Sequence, residues 1–142
     1  MKILFLDIDG VCNSEESMQK DPHQHFPIDK YMAFLVGKIQ LDTGCSVVLS
    51  SSWRHHDESV EHIHKRIVQT IGKTPYSRTQ ERNLRGYEIQ DWLDAHPEVE
   101  RYAILDDDSD MLPEQMPNFF QTSWKVGLTD EIASKVINHL NQ

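Results

Sequence analysis

The fold is decided by the first eleven residues of the chain, Met1-Lys2-Ile3-Leu4-Phe5-Leu6-Asp7-Ile8-Asp9-Gly10-Val11. The unbroken apolar run from Ile3 to Leu6 predicts a strand covered on both faces, as in the parallel sheet of an α/β protein. Since burying a charge is costly, Asp7 and Asp9 are expected where this strand leaves the sheet, at its carboxyl end. Open α/β sheets bind their ligands at that edge. Two carboxylates so close together repel each other unless a cation or a shared proton lies between them, and Mg²⁺ is the natural cation.

Strands and helices alternate along the rest of the sequence, as the spacing of apolar residues indicates. The predicted strands after the first are residues 45–49, 74–77, 101–105 and 118–122. Helices are predicted after Asp29, over 57–71 with Gly72 as terminator, over 87–95, and after Thr129, while 12–28 is expected to form a long loop. This order predicts a single α/β domain over residues 1–142, a three-layer Rossmann-like parallel sheet of about five strands with helices on both faces.

Three of the predicted strands end in polar or acidic side chains. Asp7 and Asp9 follow the first strand, Ser50 to Ser52 follow the second, and an acidic run that begins at Asp106 follows the fourth. A right-handed crossover through a helix makes successive strands parallel, so these ends are expected at one edge of the sheet. One polar strand end is common, whereas three on a coherent parallel topology indicate a functional site.

The charge is unevenly distributed along the chain. The formal net charge is -9, but residues 54–85 carry seven basic residues against four acidic ones, which makes that segment +3 and the remainder -12. Such a protein is a poor general nucleic-acid binder, yet its basic segment can steer an anionic substrate to one side of the molecule. The alternative is a basic helix face that is only solvated.

The apolar pattern and the cysteines bear on the location of the protein. No apolar run approaches the ~18 residues needed to cross a bilayer, and Asp7 interrupts the first apolar stretch too early for a secretory signal. A cytoplasmic protein that does not bind a membrane is therefore expected. Cys12 and Cys45 fall at opposite ends of neighbouring parallel strands, which predicts two free thiols.

The residues at the strand ends resemble the haloacid dehalogenase (HAD) superfamily of phosphohydrolases. Four motifs match in order: Asp-Ile-Asp-Gly-Val at 7–11, Val-Val-Leu-Ser at 47–50, a basic residue that opens a later helix, and Ile-Leu-Asp-Asp-Asp-Ser-Asp at 104–110. The first and last motifs are specific, and the two between them are not. Leu-Ser-Ser-Ser-Trp-Arg at 49–54 together with Ile-Leu-Asp-Asp-Asp at 104–108 is similar to the small HAD-type domains associated with RNA repair, and more distantly to the 3′-phosphatase domain of polynucleotide kinase.

The resemblance implies a Mg²⁺-dependent phosphomonoester hydrolase. In this interpretation Asp7 attacks phosphorus and forms an aspartyl phosphate, and Asp9 protonates the leaving alcohol and then activates water. The metal is expected to be held by Asp7, the main-chain carbonyl of Asp9 and a carboxylate of the acidic run that begins at Asp106. Asp106 is the first choice for that carboxylate, and the alternatives are Asp107 and Asp110.

The resemblance also implies side chains that bind the substrate phosphate. Ser50 is expected to donate a hydrogen bond to a phosphoryl oxygen, with Ser51 as the alternative if the strand is one residue longer. Arg54 is interpreted either as a substrate contact or as part of a surface salt bridge. Arg85, just before the predicted helix at Tyr87, is the best-placed basic residue to offset the aspartates and the phosphate. The other candidates for this role are Arg78 and Arg82.

The sequence leaves no room for the large cap domain that many HAD enzymes carry. About 35 residues separate Asp9 from the second strand, and a similar stretch separates Ser50 from Arg85. An open site admits bulky phosphorylated substrates, such as a nucleic-acid end, a nucleotide or a phosphoprotein, and no obligate protein partner is evident. In the loop beside the site, Phe26 can stack on a base or anchor the loop. The alternative functions are a phosphotransferase of the same fold and a catalytically degenerate phosphate-binding module.

Overall fold

The computed structural model describes residues 1–20, 27–70 and 75–142, with the side chains of 67–70 and 75–77 outside that description. The strands in this part are β1 (Lys2–Leu6), β2 (Ser46–Leu49), β3 (Pro75–Arg78), β4 (Arg101–Asp106) and β5 (Phe119–Gln121). The α-helices are α1 (Glu15–Lys20), α2 (Lys30–Thr43), α3 (Asp57–Thr70), α4 (Arg85–Asp94) and α5 (Asp130–Leu140). Short 3₁₀ helices, Ser52–His55 and Pro113–Asn118, follow β2 and precede β5.

The strands form one sheet in the order β3-β2-β1-β4-β5, and every neighbouring pair is parallel. The predicted α/β class with a Rossmann-like parallel sheet is therefore confirmed. β1 lies at the centre, where Leu6 is in register with the last apolar residue of β2 and with Leu105 of β4. Because these strands end at the same level, Asp7, Ser50 and Asp106 emerge side by side at the carboxyl edge.

The central strand is covered on both faces, as its unbroken apolar run predicts. Leu4 and Leu6 pack in one layer with α2, α3 and α5, whereas Ile3 and Phe5 pack on the other face with α4. The Phe5 ring meets the Trp92 ring edge-on, with 5.4 Å between the centroids. Truncating a fully buried phenylalanine to alanine costs roughly 3–5 kcal/mol. This packing holds β1 rigidly and fixes the position of the residues at its tip.

Local capping defines the ends of α2 and the start of α5. The Asp29 carboxylate accepts hydrogen bonds from two main-chain N–H groups in the first turn of α2, at 2.9 and 3.1 Å. Gly44 follows α2 with a φ of 74°, a left-handed conformation that glycine adopts without a steric penalty. The Thr129 hydroxyl accepts a hydrogen bond from Ile132 N at 3.3 Å. These caps lie where the sequence predicts them.

The prediction of one continuous loop over residues 12–28 is wrong, because this segment contains α1. None of the α1 side chains is buried, so the helix lacks the apolar spacing by which an amphipathic helix is recognised. It begins instead at a reciprocal cap, in which Ser14 N donates to Ser17 Oγ at 2.7 Å and Ser17 N donates to Ser14 Oγ at 3.2 Å. The expected role of Phe26 and the expected helix end at Gly72 fall on residues outside the described part.

The boundaries of β4 and α4 differ slightly from the prediction, and the difference concerns two charged residues. β4 includes Asp106, whose carbonyl oxygen accepts a hydrogen bond from Thr122 N at 3.0 Å. α4 begins at Arg85, two residues earlier than predicted, and Arg85 N donates to Asp110 Oδ2 at 3.2 Å. Both charged residues therefore belong to regular elements with defined backbone hydrogen bonds.

The expectations about thiols and membrane helices can be compared with the described residues directly. Cys12 and Cys45 are both buried thiols that form no disulfide bond, which confirms their predicted state. In residues 1–20, 27–70 and 75–142, none of the helices combines the length and the apolar character needed to cross a bilayer.

Candidate active site

Asp7 and Ser50 are held at the tips of β1 and β2 by main-chain hydrogen bonds that continue the sheet. Asp7 N donates to Leu105 O at 3.0 Å, and Ser50 N donates to Leu6 O at 2.8 Å. Asp7 is 7% exposed and Ser50 is 2% exposed. The backbone therefore presents both side chains in a site that largely excludes bulk water.

The carboxylates of Asp7, Asp106 and Asp107 form a compact acidic cluster. Each offers an oxygen that lies within 4.8 Å of the oxygens of the other two. Asp107 can approach because residue 10 is glycine: a Cβ there would lie 2.3 Å from Asp107 Oδ2, and the Gly10 φ of +82° also favours glycine. Oxygen donors at this spacing fit a hard divalent cation. The acidic cluster can therefore hold a metal ion, and it contains three of the four residues predicted as ligands.

Burial and mutual repulsion disfavour the charged forms of the two innermost carboxyl groups. Burial is the largest cause that raises the pKa of Asp7, opposed by the positive charge of Arg85. Burial also raises the pKa of Asp106, and the nearby charge of Asp7 raises it further. Each of the two carboxyl groups therefore alters the pKa of the other. A cation bound between them would offset their repulsion, which is one of the alternatives that the sequence suggests for two crowded aspartates.

Arg85 lies beside the acidic cluster. Its Nε is 3.5 Å from Asp106 Oδ2, and its side chain is 18% exposed. The two other candidate basic residues are engaged elsewhere. Arg78 donates to Arg54 O at 2.8 Å and pairs with Asp57, and Arg82 pairs with Asp91 at 2.9 Å. Of the three arginines considered from the sequence, Arg85 is the one that the fold brings to the aspartates.

The two candidate serines have different surroundings. The Ser51 hydroxyl donates to the Asp7 carboxylate, which favours the charged form of Asp7, and it accepts a hydrogen bond from Trp53 N at 3.2 Å. Ser50 Oγ is buried and has no hydrogen-bond partner among the described residues, and the same is true of Arg85 Nη1. Buried donors without partners are costly, and a phosphoryl oxygen could accept from either of them.

Asp9 is exposed, and its carboxylate is not part of the acidic cluster. Its Oδ1 accepts a hydrogen bond from Asn13 Nδ2 at 2.9 Å, and its Oδ2 accepts one from the Trp53 indole Nε1 at 3.1 Å. Both of these donors come from residues that are themselves buried. The carboxylate is therefore positioned as a separate group, as an acid and base distinct from the nucleophile would be. The sequence predicts that Asp9 binds the metal through its main-chain carbonyl, and this contact stays a prediction.

Arg54 is neither exposed nor part of a surface salt bridge. It forms a buried ion pair with Glu88, and its Nη1 donates to Ser51 O at 2.8 Å. Burial lowers the pKa of the Arg54 guanidinium, opposed by the charge of Glu88. Glu88 Oε1 also lies 3.8 Å from Arg85 Nη1. A single buried carboxylate thus lies between two of the predicted phosphate-binding arginines.

The remaining acids of the 106–110 segment serve the backbone around the acidic cluster. Asp108 is exposed, and its main-chain N–H donates to Asp106 Oδ1 at 3.0 Å. Asp110 binds the start of α4 through its side chain, at Arg85 N, and through its carbonyl oxygen, which accepts from Gly86 N at 3.0 Å. Asp110, one of the alternative ligands, is therefore placed to fix the position of Arg85.

Asn13, Trp53 and Glu88 contact the predicted site residues but are not identified from the sequence. Glu88 carries a usable signal, since it follows Arg85 by three positions on a helix, the spacing of neighbouring side chains. Asn13 is four residues from Asp9, but it lies in the segment predicted to be a loop. The contact between Trp53 and Asp9 joins residues 44 positions apart and has no local signature.

Comparison with known proteins gives one match. The family model described as "HAD domain in Swiss Army Knife RNA repair proteins" matches residues 3–133, which include β1 from Ile3 onward, every residue of the acidic cluster and the first turn of α5. No curated protein and no solved structure matched.

Proposed function

This chain belongs to the family of HAD domains found in Swiss Army Knife RNA repair proteins, and on that premise we propose that it is a Mg²⁺-dependent phosphomonoester hydrolase. The observation that carries the proposal is the acidic cluster of Asp7, Asp106 and Asp107, within 4.8 Å of one another and beside Arg85. The family supports a phosphatase-type activity. The metal, the covalent intermediate and the substrate are proposals.

The chemistry proposed for the chain's own residues has two steps. Asp7 attacks phosphorus, the bond from phosphorus to the leaving oxygen breaks, and Asp9 donates its proton to that oxygen. Asp9 then takes a proton from water, which attacks the aspartyl phosphate, releases inorganic phosphate and regenerates the Asp7 carboxylate. The hydrogen bonds from Asn13 and Trp53 hold Asp9 in one orientation for both transfers.

The remaining site residues bind and orient the substrate phosphate. Ser50 and Arg85 each present a buried donor atom that has no hydrogen-bond partner in the described part of the chain, and both would donate to phosphoryl oxygens. Ser51 holds the Asp7 carboxylate by a hydrogen bond. Mg²⁺, held by Asp7, Asp106 and Asp107, would offset the negative charge of the carboxylates and of the phosphoryl group.

The proposed substrates are bulky phosphorylated molecules, in particular nucleic-acid ends that carry a 3′-phosphate. In the described residues, only α1 and α2 separate β1 from β2, and α3 and β3 separate the 3₁₀ helix after β2 from α4. The described residues of the two connections form no cap domain that would enclose a small substrate. The basic segment over residues 54–85 provides the charge that attracts a polyanion.

Replacing the nucleophile tests this proposal. Asp7→Asn should abolish Mg²⁺-dependent hydrolysis of an aryl phosphate while the protein stays folded, because the amide is a very poor nucleophile. Asp108→Asn is the matched control, since it removes an exposed acid at the same edge whose side chain is not part of the acidic cluster and keeps the main-chain hydrogen bond to Asp106. Undiminished hydrolysis by Asp7→Asn would exclude the covalent mechanism. Transfer to added alcohols would indicate a phosphotransferase, and binding of phosphorylated ends without turnover by the unaltered protein would indicate a phosphate-binding module.

A further inference from the structure

A polar cavity opens at the carboxyl end of β3. It has a volume of about 370 Å³ and is lined by Arg54, His55, Arg78, Thr79, Gln80 and Glu81. None of these residues is aliphatic, and none is phenylalanine, tyrosine or tryptophan. The lining therefore favours a polar ligand over a stacked base. We call this cavity the β3 pocket.

Hydrogen bonds connect the β3 pocket to Asp7. Arg54, which forms one wall, donates to Ser51 O at 2.8 Å, and the Ser51 hydroxyl donates to the Asp7 carboxylate. Thr79, which forms another wall, donates its N–H to Leu49 O at 3.0 Å, so it continues β3 at the level of the β2 tip. Since β3 and β1 are separated by one strand, Thr79 lies about 10 Å across the sheet from Asp7. A single substrate can reach both places.

Two buried polar atoms of the β3 pocket have no hydrogen-bond partner among the described residues. They are Thr79 Oγ1, on a residue that is 1% exposed, and Arg54 Nε, on a residue that is 7% exposed. An arginine Nε–H can only donate, and a threonine hydroxyl can donate as well as accept. Leaving such groups unpaired in a buried position is unfavourable. One oxygen-rich acceptor would satisfy both.

The charges around the β3 pocket favour an anionic acceptor. Arg54 and Arg78 contribute two positive charges to the lining, against one negative charge from Glu81, and the carboxylates that pair with the two arginines, Glu88 and Asp57, are not part of the lining. Glu81 is itself 3.5 Å from His55 Nε2, and it is largely exposed to solvent. A phosphodiester offers two charged oxygens that only accept hydrogen bonds, which matches two donors in a positive setting.

We propose that the β3 pocket binds the phosphodiester that neighbours the scissile phosphate, so that the enzyme selects phosphorylated oligonucleotides over mononucleotides and simple phosphate esters. The inference rests on the proposed function, since it assigns the β3 pocket to the leaving group of that reaction. Thr79 and Arg54 determine specificity in this scheme, and they take no part in breaking the phosphorus–oxygen bond.

The experiment compares two oligoribonucleotides that end in a 3′-phosphate, one with a normal last linkage and one with an uncharged methylphosphonate in that position. The unaltered protein should show the higher kcat/KM with the charged linkage. In Thr79→Val, the ratio of the two kcat/KM values should fall about tenfold, because a hydrogen bond to a charged group is lost. Thr43→Val is the matched control, since it removes another buried threonine hydroxyl, bonded to Ile39 O at the opposite edge, and should leave the ratio unchanged.

Binding measured by fluorescence anisotropy on Asp7→Asn separates this inference from the proposed function. In the Asp7→Asn protein, adding Thr79→Val should change the ratio of the dissociation constants of the two oligonucleotides. This effect is expected whether or not the unaltered protein turns the substrate over. A chain without phosphatase activity that still shows this response would overturn the proposed function alone. An unaltered protein that hydrolyses both oligonucleotides with equal kcat/KM, or a ratio indifferent to Thr79→Val in both assays, would overturn the β3 pocket as a phosphodiester site.

Discussion

One half of the carboxyl edge carries crowded carboxylates, whereas the other half carries buried hydrogen-bond donors. At the tips of β1 and β4, the acidic cluster places three carboxylates within 4.8 Å, and burial raises the pKa of two of them, Asp7 and Asp106. At β2, β3 and the start of α4, Ser50, Thr79 and two arginines bury donor atoms that no described residue accepts. The first half can hold a cation, and the second can donate hydrogen bonds to an anion. A phosphate bound together with a divalent metal would interact with both, and changing a residue of either half tests this comparison.

The largest effect is expected from removing a charge from the acidic half. Asp106→Asn should lower kcat/KM by about a hundredfold or more and raise the Mg²⁺ concentration needed for half-maximal activity, because a proposed metal ligand is lost. The same variant should be at least as stable as the unaltered protein without metal, since it relieves the repulsion with Asp7. Mg²⁺ titrations of activity and thermal unfolding in chelator measure the two effects. An unchanged Mg²⁺ requirement would remove Asp106 from the metal site.

The next largest effect concerns the buried ion pairs of the basic half. Glu88→Gln should destabilise the fold by about 3–5 kcal/mol, because it leaves the buried Arg54 guanidinium without its counter-charge. Asp91→Asn is the matched control on the same helix, where the pair with Arg82 is exposed and should contribute no more than about 1 kcal/mol. Denaturant unfolding curves give both values. Equal losses in the two variants would mean that burial of the Arg54–Glu88 pair has little effect on its contribution.

The raised pKa values of Asp7 and Asp106 predict how the stability of the metal-free protein depends on pH. Folding raises the pKa of both Asp7 and Asp106, so the folded state binds protons that the unfolded state releases. The stabilisation is complete below the ordinary aspartate pKa of about 4 and is lost as the pH rises through the raised values. Unfolding in chelator should therefore show stability decreasing from acidic to neutral pH at this pair, less so in Asp106→Asn. Saturating Mg²⁺ should reverse the trend, and a pH dependence identical in both proteins would contradict it.

The smallest effect is expected at Asp9. Trp53→Phe keeps the aromatic ring but removes the indole N–H that binds Asp9 Oδ2, so kcat should fall about tenfold with an alkyl phosphate, whose leaving group needs a proton. With an aryl phosphate, whose leaving group is more stable as an anion, the loss should be much smaller. Steady-state kinetics on the two substrates test this. Equal losses on both would indicate that Trp53 supports the site structurally and does not position the acid.

Features that depend on residues close together in the sequence could be predicted, whereas features that depend on contacts between residues far apart in the sequence could not. The β1 strand, the Asp29 and Thr129 caps and the convergence of Asp7, Ser50 and Asp106 follow from local patterns and from the rules of parallel sheets. The choice of Arg85 over Arg78 and Arg82 depends on partners, Asp57 and Asp91, that the fold supplies.

α1 and the buried ion pair of Arg54 and Glu88 could not be predicted from the sequence, for two different reasons. α1 has no buried face, so its sequence carries no helical period, and only the Ser14 and Ser17 caps mark it. The buried pair of Arg54 and Glu88 joins residues 34 positions apart, and charged residues are ordinarily assigned to the surface. Buried charge is thus the feature that sequence patterns indicate least well, and here it surrounds the site.

The covalent intermediate on Asp7 tests the account most directly. The protein is mixed with an aryl phosphate and Mg²⁺, quenched in acid during turnover, digested and analysed by mass spectrometry. The account predicts that one phosphoryl group is found on the peptide that contains Asp7 and is missing in Asp7→Asn. Steady turnover with that peptide unmodified, or with the phosphoryl group on a different residue, would contradict it.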